Sequence, residues 1–271
     1  MFRYSKITIG AVLTASAIGS AIFFTQNASA KPSMCPETWP VTMQSYIERD
    51  LSNNLIRINY AALSQSSEAK KMLDDYIDHL QSLNPEKMSP DEAIAFWANL
   101  YNAVTIDVIV ENYPVKSIKE IKSSLVNFGP WDLKLVTVND KRLSLNDIEH
   151  GILRKQYPSL MIHYMVNCAS IGCPNIKVGE WRAETLKDDQ VQAARDFINS
   201  PRGVSLIGDS LVLSSIYKWF KEDFGTTESN ILEHIKLYAD PDLSIKLNKD
   251  IKIKAYDYDW DLNATKTSPP S

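Results

Sequence analysis

The chain has 271 residues, 44% hydrophobic and 10% aromatic, with 33 acidic against 29 basic side chains and a formal charge of −4. That is the composition of an ordinary globular protein. An acidic balance with no basic run argues against nucleic acid or an anionic membrane surface as partner.

Arg3 and Lys6 precede a largely apolar run from Ile7 to Phe24, and Ala28-Ser29-Ala30 is an A-x-A cleavage site, so residues 1–30 read as an export signal. Cleavage there leaves 27 basic and 33 acidic side chains, a formal charge of −6, in a periplasmic or secreted protein of the bacterial cell envelope that holds no membrane contact afterwards; left uncleaved, the segment is a signal anchor. Residues 31–39 are then a lead-in, 40–263 a single domain with room for a sizeable core, and 264–271 (ATKTSPPS) a disordered tail. Export also puts the cysteines where disulfides persist. There are three, an odd number. A Cys168–Cys173 bridge, or one made through Cys35, leaves one thiol free or joined to a partner.

Residues 37–48 and 69–82 read as amphipathic helices joined through INYAAL at 58–63. His79 on the second, and His234 further on, read as surface histidines. Ser89-Pro90-Asp91-Glu92 is a capping box with proline in the first turn. The helix it starts runs to Pro114 and is apolar around so much of its circumference that it must be buried. Asn99 and Asn102 sit inside it three apart, with Thr105 three further on, and draw a polar seam. Buried amides need partners. The seam therefore either ties down neighbouring loops or faces the site and binds substrate.

A short basic helix at 115–121 follows. LKLVTV (133–138) and RLSL (142–145) then form a hairpin around Asn139-Asp140, a turn without glycine. Ser144 and Asp147 cap a helix through LNDIEHGILRKQY, with Leu145, Ile148 and Ile152 as its buried stripe. Glu149 and His150 are neighbours beside Gly151. A mid-helix glycine costs about 1 kcal/mol relative to alanine, and here it marks close approach of another backbone or a ligand.

LMIHYMVNCASIGCP (160–174) reads as an apolar strand entering a small-residue turn. His163, Met165 and Asn167 share one face and Cys168 the other, so His163 and Cys168 meet only if the backbone turns near Asn167. Pro174 holds Cys173 extended. Beyond lie a helix at 182–198, a hairpin at 203–214, helices in IYKWFKEDFG and ILEHIKLYA, and a strand over 251–263. Helices interleaved with largely antiparallel strands, without a βαβ repeat, make the class α+β.

A thiolate nucleophile needs a lowered pKa, a base in reach and a group orienting that base. Cys168, at the end of a strand, is preferred over Cys173. His150 or His163 is the base, and Glu149 or Asn167 orients it. H-x4-C-x4-C matches no usual zinc spacing, and there is no phosphate loop, GxSxG elbow or HExxH. No metal and no cofactor are assigned.

FWANLYNAVTIDVIVENYPVKSIKEI, PWDLKLVTV, LSLNDIEHGILR, IHYMVNCASIGCP and YDYDWDLN, in this order, resemble the bacterial Domain of Unknown Function 547 family over roughly residues 40–263. The resemblance implies an α+β fold related to papain-like and transglutaminase-like proteins, with a thiol-dependent or glutathione-binding site. It singles out Glu149, His150, His163, Cys168 and Cys173. Papain-like enzymes place cysteine before histidine, at the start of the central helix; here both cysteines follow both histidines, so a shared core requires a rearranged chain order. The expected function is thiol-dependent acyl transfer, by a peptidase, amidase or transglutaminase-like enzyme. The alternative is a non-catalytic module of the envelope that binds glutathione or another thiol peptide, with Asn99, Asn102, Asn167 and Arg154 holding amides and carboxylates.

Overall fold

The computed structural model describes residues 38–121, 129–208, 210–247 and 251–266, all within one compact unit, Ser33–Ser271. The export signal at 1–30 and Cys35 lie outside the described residues. Helix α1 (Thr38–Gln44) gives way to β1 (Ile47–Asp50), which pairs antiparallel with β2 (Leu55–Ile58). The helix expected over 37–48 is cut short because the fully buried β2 recruits 47–50 as its partner. Then come α2 (Tyr60–Gln65), capped by Asn59, and α3 (Ser67–Ser82), capped by Ser66.

Helix α4 (Pro90–Asn112) is the centre of the molecule. Its capping box forms as read: Ser89 N donates to Glu92 Oε2 at 2.8 Å and Glu92 N to Ser89 Oγ at 3.4 Å. The helix is long and apolar enough to cross a membrane, yet 89% of its apolar window is buried inside the protein. Phe96, Leu100 and Ile109 are fully enclosed, and each contributes roughly 1.5–3 kcal/mol by leaving water.

β3 (Val136–Val138) and β4 (Lys141–Leu143) form the expected hairpin. Asn139 and Asp140 supply the left-handed turn, at φ 48° and 61°, in place of glycine. The next helix starts from a reciprocal cap, Ser144 N to Asp147 Oδ2 at 2.7 Å and Asp147 N to Ser144 Oγ at 3.1 Å. It then winds as a π-helix over Asp147–Leu153 before closing as α5 (Arg154–Gln156). The wider turn rotates Leu153, rather than Ile152, fully into the core. Gly151 does not mark the close approach of another backbone: a Cβ there would meet no protein atom within 4 Å.

Residues 160–174 are not a strand. Leu160–Tyr164 form a single 3-10 turn capped by Ser159, and a loop follows. The backbone finds its partners elsewhere: Met165 O accepts from Asn102 Nδ2 and Asn167 N donates to Asn102 Oδ1, both at 2.9 Å. Helix α6 (Leu186–Ile198), strands β5 (Val204–Ile207) and β6 (Ser210–Ser214), helices α7 (Ile216–Trp219), α8 (Glu228–Tyr238) and α9 (Pro241–Leu247), and strand β7 (Lys252–Asp257) complete the fold. β5 pairs antiparallel with β6, and β7 runs parallel to β6. Helices with small, largely antiparallel sheets make this an α+β protein.

The strand expected to run to 263 ends at Asp257. The segment after it lies across the molecule: Asn263 N donates to Ala169 O at 3.0 Å, Ile58 N to Asn263 O at 2.9 Å and Thr265 N to Ile58 O at 2.9 Å. Order thus extends through 264–265, into the stretch expected to be a disordered tail. His234 is buried rather than on the surface, with Nε2 2.7 Å from Tyr164 OH. His79 is half-buried, its Nε2 enclosed without a hydrogen-bond partner. One apolar core surrounds α4, and a second lies among α6, α8 and β6. Tyr164 belongs to the second and Val166 to the first, so the thiol loop leaves from the seam between them.

Candidate functional site

A cavity of about 200 Å³ opens between Tyr101 of α4, Glu149 and His150 of the π-helix, and His163, Cys168 and Cys173 of the thiol loop. Trp131, Trp219, Phe220, Tyr258 and Trp260 make up its aromatic side. The five residues read as catalytic, Cys168, Cys173, Glu149, His150 and His163, therefore share one pocket.

The turn that unites His163 with Cys168 is built by Asn167. Its Oδ1 accepts from Ala169 N at 2.8 Å and its Nδ2 donates to Pro174 O at 2.7 Å. Ala169 adopts φ 61°, a left-handed conformation rarely taken by alanine. Gly172 is the glycine that permits a close approach. A Cβ there would stand 2.8 Å from Asp259 N and 2.9 Å from Tyr258 Cδ2. Its absence lets the loop press against 258–259 and brings the Tyr258 hydroxyl onto the sulfurs.

Cys168 and Cys173 are both free thiols, with their Sγ atoms 2.9 Å apart. Cys168 N–H donates to Cys173 Sγ at 3.1 Å. Tyr258 OH stands 3.0 Å from Cys173 Sγ and 3.1 Å from Cys168 Sγ. Ser170 Oγ lies 3.2 Å from Cys168 Sγ and 2.7 Å from Tyr258 OH. Burial pushes the Cys173 thiol up, but hydrogen bonds from the Cys168 thiol, Tyr258 and the Cys168 amide outweigh it and bring Cys173 down to about 7. Cys168 moves the other way, raised first by the hydrogen bond it gives to Cys173 and then by burial. The negative charge rests on Cys173 and the shared proton on Cys168, the reverse of the preference drawn from strand geometry. No strand holds Cys168, and the donors converge on its neighbour.

Behind the loop, the Arg202 guanidinium donates to the carbonyls of Ile171, Cys173 and Asn54 and to Asn175 Oδ1. All four are neutral, and among the described residues Arg202 has no ion-pair partner. Burial lowers its pKa to about 10, opposed by the charges of Cys173 and Tyr258. The same attraction, taken from the sulfur side, favours the thiolate.

His163 Nε2 lies 2.7 Å from Asp223 Oδ2, and its ring stacks on Phe220 with centroids 4.2 Å apart. Burial lowers its pKa against the upward pull of Asp223, so the ring is neutral at pH 7. Asp223 also takes Arg154 in a two-pronged pair, Nε to Oδ2 at 2.7 Å and Nη2 to Oδ1 at 3.1 Å. Burial raises the Asp223 carboxyl, and Arg154 and His163 together more than reverse this. His150 is more exposed, its Nδ1 3.9 Å from Glu149 Oε1 and 3.4 Å from Arg154 Nη1. Burial first, and then the charge of Glu149, raise the Tyr101 hydroxyl well above its ordinary pKa. Among the described residues, neither sulfur is hydrogen-bonded to an imidazole.

The residues expected to bind substrate do something else. Asn99 Nδ2 donates to Trp181 O and its Oδ1 accepts from Trp181 N, both at 2.9 Å. Asn102 grips 165–167 in the same way. The seam ties down loops, and with Asn167 it shapes the thiol turn. Arg154 is consumed by Asp223. Tyr258, Asp223 and Arg202 were missed, although Asp223 stands between aromatics in WFKEDF and Tyr258 opens YDWDLN, patterns that set a polar group inside an apolar wall. Among the described residues, no three His, Cys, Asp or Glu side chains are grouped to hold a metal ion.

Residues 85–198 match the model of a family described as "Protein of unknown function, DUF547". This span is narrower than the 40–263 over which the resemblance was read, and Asp223 and Tyr258 lie beyond it. No curated protein and no solved structure matches the chain.

Proposed function

Since residues 85–198 belong to the DUF547 family, whose description carries no activity, we propose from the site itself that this is an exported thiol-dependent protein of the cell envelope, acting through Cys168 and Cys173 on a peptide or small thiol carried as a disulfide. The observation that supports this reading is the 2.9 Å separation of two free thiols, within hydrogen-bond distance of each other. In the reaction, the Cys173 thiolate attacks one sulfur of the substrate disulfide, forms a mixed disulfide and expels the other half as a thiolate. That thiolate takes up the proton of Cys168. Cys168 then attacks the Cys173 sulfur, and the first half leaves. The pair is oxidised to a disulfide, and the substrate is reduced by the same two electrons.

A second reading is acyl transfer, with the same thiolate attacking a carbonyl and His163, oriented by Asp223, or His150, beside Glu149, moving the proton. It is favoured by one observation, that both imidazoles line the thiol cavity. A papain-like core with rearranged chain order fits either reading. It draws support from the single long buried helix beside small antiparallel sheets.

Intact-mass spectrometry of the native protein with 2-hydroxyethyl disulfide, and separately with oxidised glutathione, tests the first reading. The wild type should end as an internal Cys168–Cys173 disulfide without adduct, and Cys168→Ala should trap a mixed disulfide on Cys173. A native protein in which neither cysteine changes, while both react once unfolded, would sink it. An acyl adduct formed from an activated ester and lost in His163→Ala would move the assignment to acyl transfer.

A further inference from the structure

Tyr258 belongs to two structures at once. Its hydroxyl stands about 3 Å from both sulfurs, at 3.1 and 3.0 Å. Its ring is the inner end of an aromatic wall, with centroids 4.6 Å from Trp260 and 4.8 Å from Trp219; Trp260 in turn meets Trp219 at 5.6 Å and Trp131 at 5.8 Å. A group stacked on that wall is therefore adjacent to the reacting sulfurs. Trp219, at the end of α7, remains 49% exposed although it lines the cavity. A large ring left half in water at a concave, aromatic site is a surface for a ligand to cover.

The charges say which ligand. Among the described residues, no lysine or arginine lines the cavity. Arg154 is spent on Asp223, and Arg202 faces backbone carbonyls behind the loop. Lys119 lies over the Trp260 ring, 4.7 Å from its centroid. Glu149, the one carboxylate in the lining among the described residues, is buried and faces His150, 3.9 Å away, with Tyr101 in the same lining. An acidic substrate such as glutathione finds no cation in the lining, and a cationic one finds no unpartnered carboxylate there. A largely apolar space of roughly 150 Å³ is enough for a benzene ring, and this cavity is about 200 Å³.

We propose, resting on the thiol-dependent reading above, that the cavity selects disulfide peptides whose reacting cysteine is flanked by an uncharged aromatic side chain, stacked on the Trp219–Tyr258–Trp260 wall.

The test uses the full chain and three symmetric disulfides of blocked dipeptides, Phe-Cys, Asp-Cys and Lys-Cys, with exchange rates read by acid quench and mass spectrometry. The Phe-Cys disulfide should react on the order of tenfold faster than the other two, the size of one favourable aromatic contact. Trp219→Ala should bring the Phe-Cys rate down to that of Asp-Cys. Equal rates for all three peptides, a lead for Asp-Cys or Lys-Cys, or a preference that survives in Trp219→Ala would overturn the proposal while leaving the thiol reaction in place. Failure of every peptide, with no iodoacetamide labelling of the native thiols, would remove the thiol reading and this selection with it.

Discussion

At Cys173 a buried sulfur keeps a low pKa because three donors converge on it, the Cys168 thiol, the Cys168 amide and the Tyr258 hydroxyl. Its folded pKa lies below the ordinary thiol value, so the thiolate persists from high pH down to about 7 and is lost below it. The rate of iodoacetamide labelling at Cys173 should follow that midpoint. Tyr258→Phe removes one hydrogen bond to a charged atom, worth about 1.5–3 kcal/mol, and should move the midpoint up by roughly one to two pH units. A midpoint unchanged in that variant would exclude the phenol as a source of the acidity. The five site residues were legible from residue type and crowding, since sulfur, imidazole and carboxylate stood within 25 positions of each other from Glu149 to Cys173. Which sulfur holds the charge was not legible. It depends on Tyr258, 85 positions after Cys173, and on Arg202, 29 positions after it, whose local sequence gives no hint of what it meets.

At the level of elements, α4 works as a ruler for the loops beside it. Asn102 satisfies one carbonyl and one amide of the thiol loop, and Asn99 does the same for Trp181. Asn102→Ala strands two buried backbone groups and should cost about 2–6 kcal/mol, at 1–3 for each group left unsatisfied, read from the urea midpoint at constant slope. A loss under about 0.5 kcal/mol would mean that water replaces the amide without penalty. This pair also explains why the apolar run at 160–166 misleads. Period-two hydrophobicity needs a neighbouring strand to become a sheet, and here α4 offers amides instead. The capping boxes at Ser89 and Ser144 were readable because all their partners lie within three residues. The β1–β2 pairing, the π-turn and the path of 258–265 were not, because each is decided by distant backbone.

For the whole molecule, stability against pH is set by groups buried between elements. His234 is lowered to about 4 by burial in the second core. The unfolded chain takes its proton near 6.5, so between about 6.5 and 4 the unfolded state binds more protons, and stability falls as pH falls. The share of this one group approaches 3 kcal/mol below pH 4. Asp107, raised to about 6 by burial and by Asp74 and Glu111, works in the opposite sense over an overlapping interval. The histidine is therefore seen by difference: unfolding free energies at pH 7, 5.5 and 4 should converge between wild type and His234→Phe as the pH falls. Parallel curves would show that His234 titrates normally.

The segment from Tyr258 to Asn263 closes the thiol loop from far along the chain. Gly172 N binds Asp259 O at 2.8 Å, and Ala169 O receives Asn263 N at 3.0 Å. During synthesis both cysteines leave the ribosome well before Tyr258 exists. Until it arrives, the sulfurs lack their phenol and Gly172 has nothing to press against, so Cys173 behaves as an ordinary, largely protonated thiol. Its lowered pKa is a property of the finished chain. A nascent or truncated polypeptide carries the same two cysteines without the phenol that lowers the Cys173 pKa.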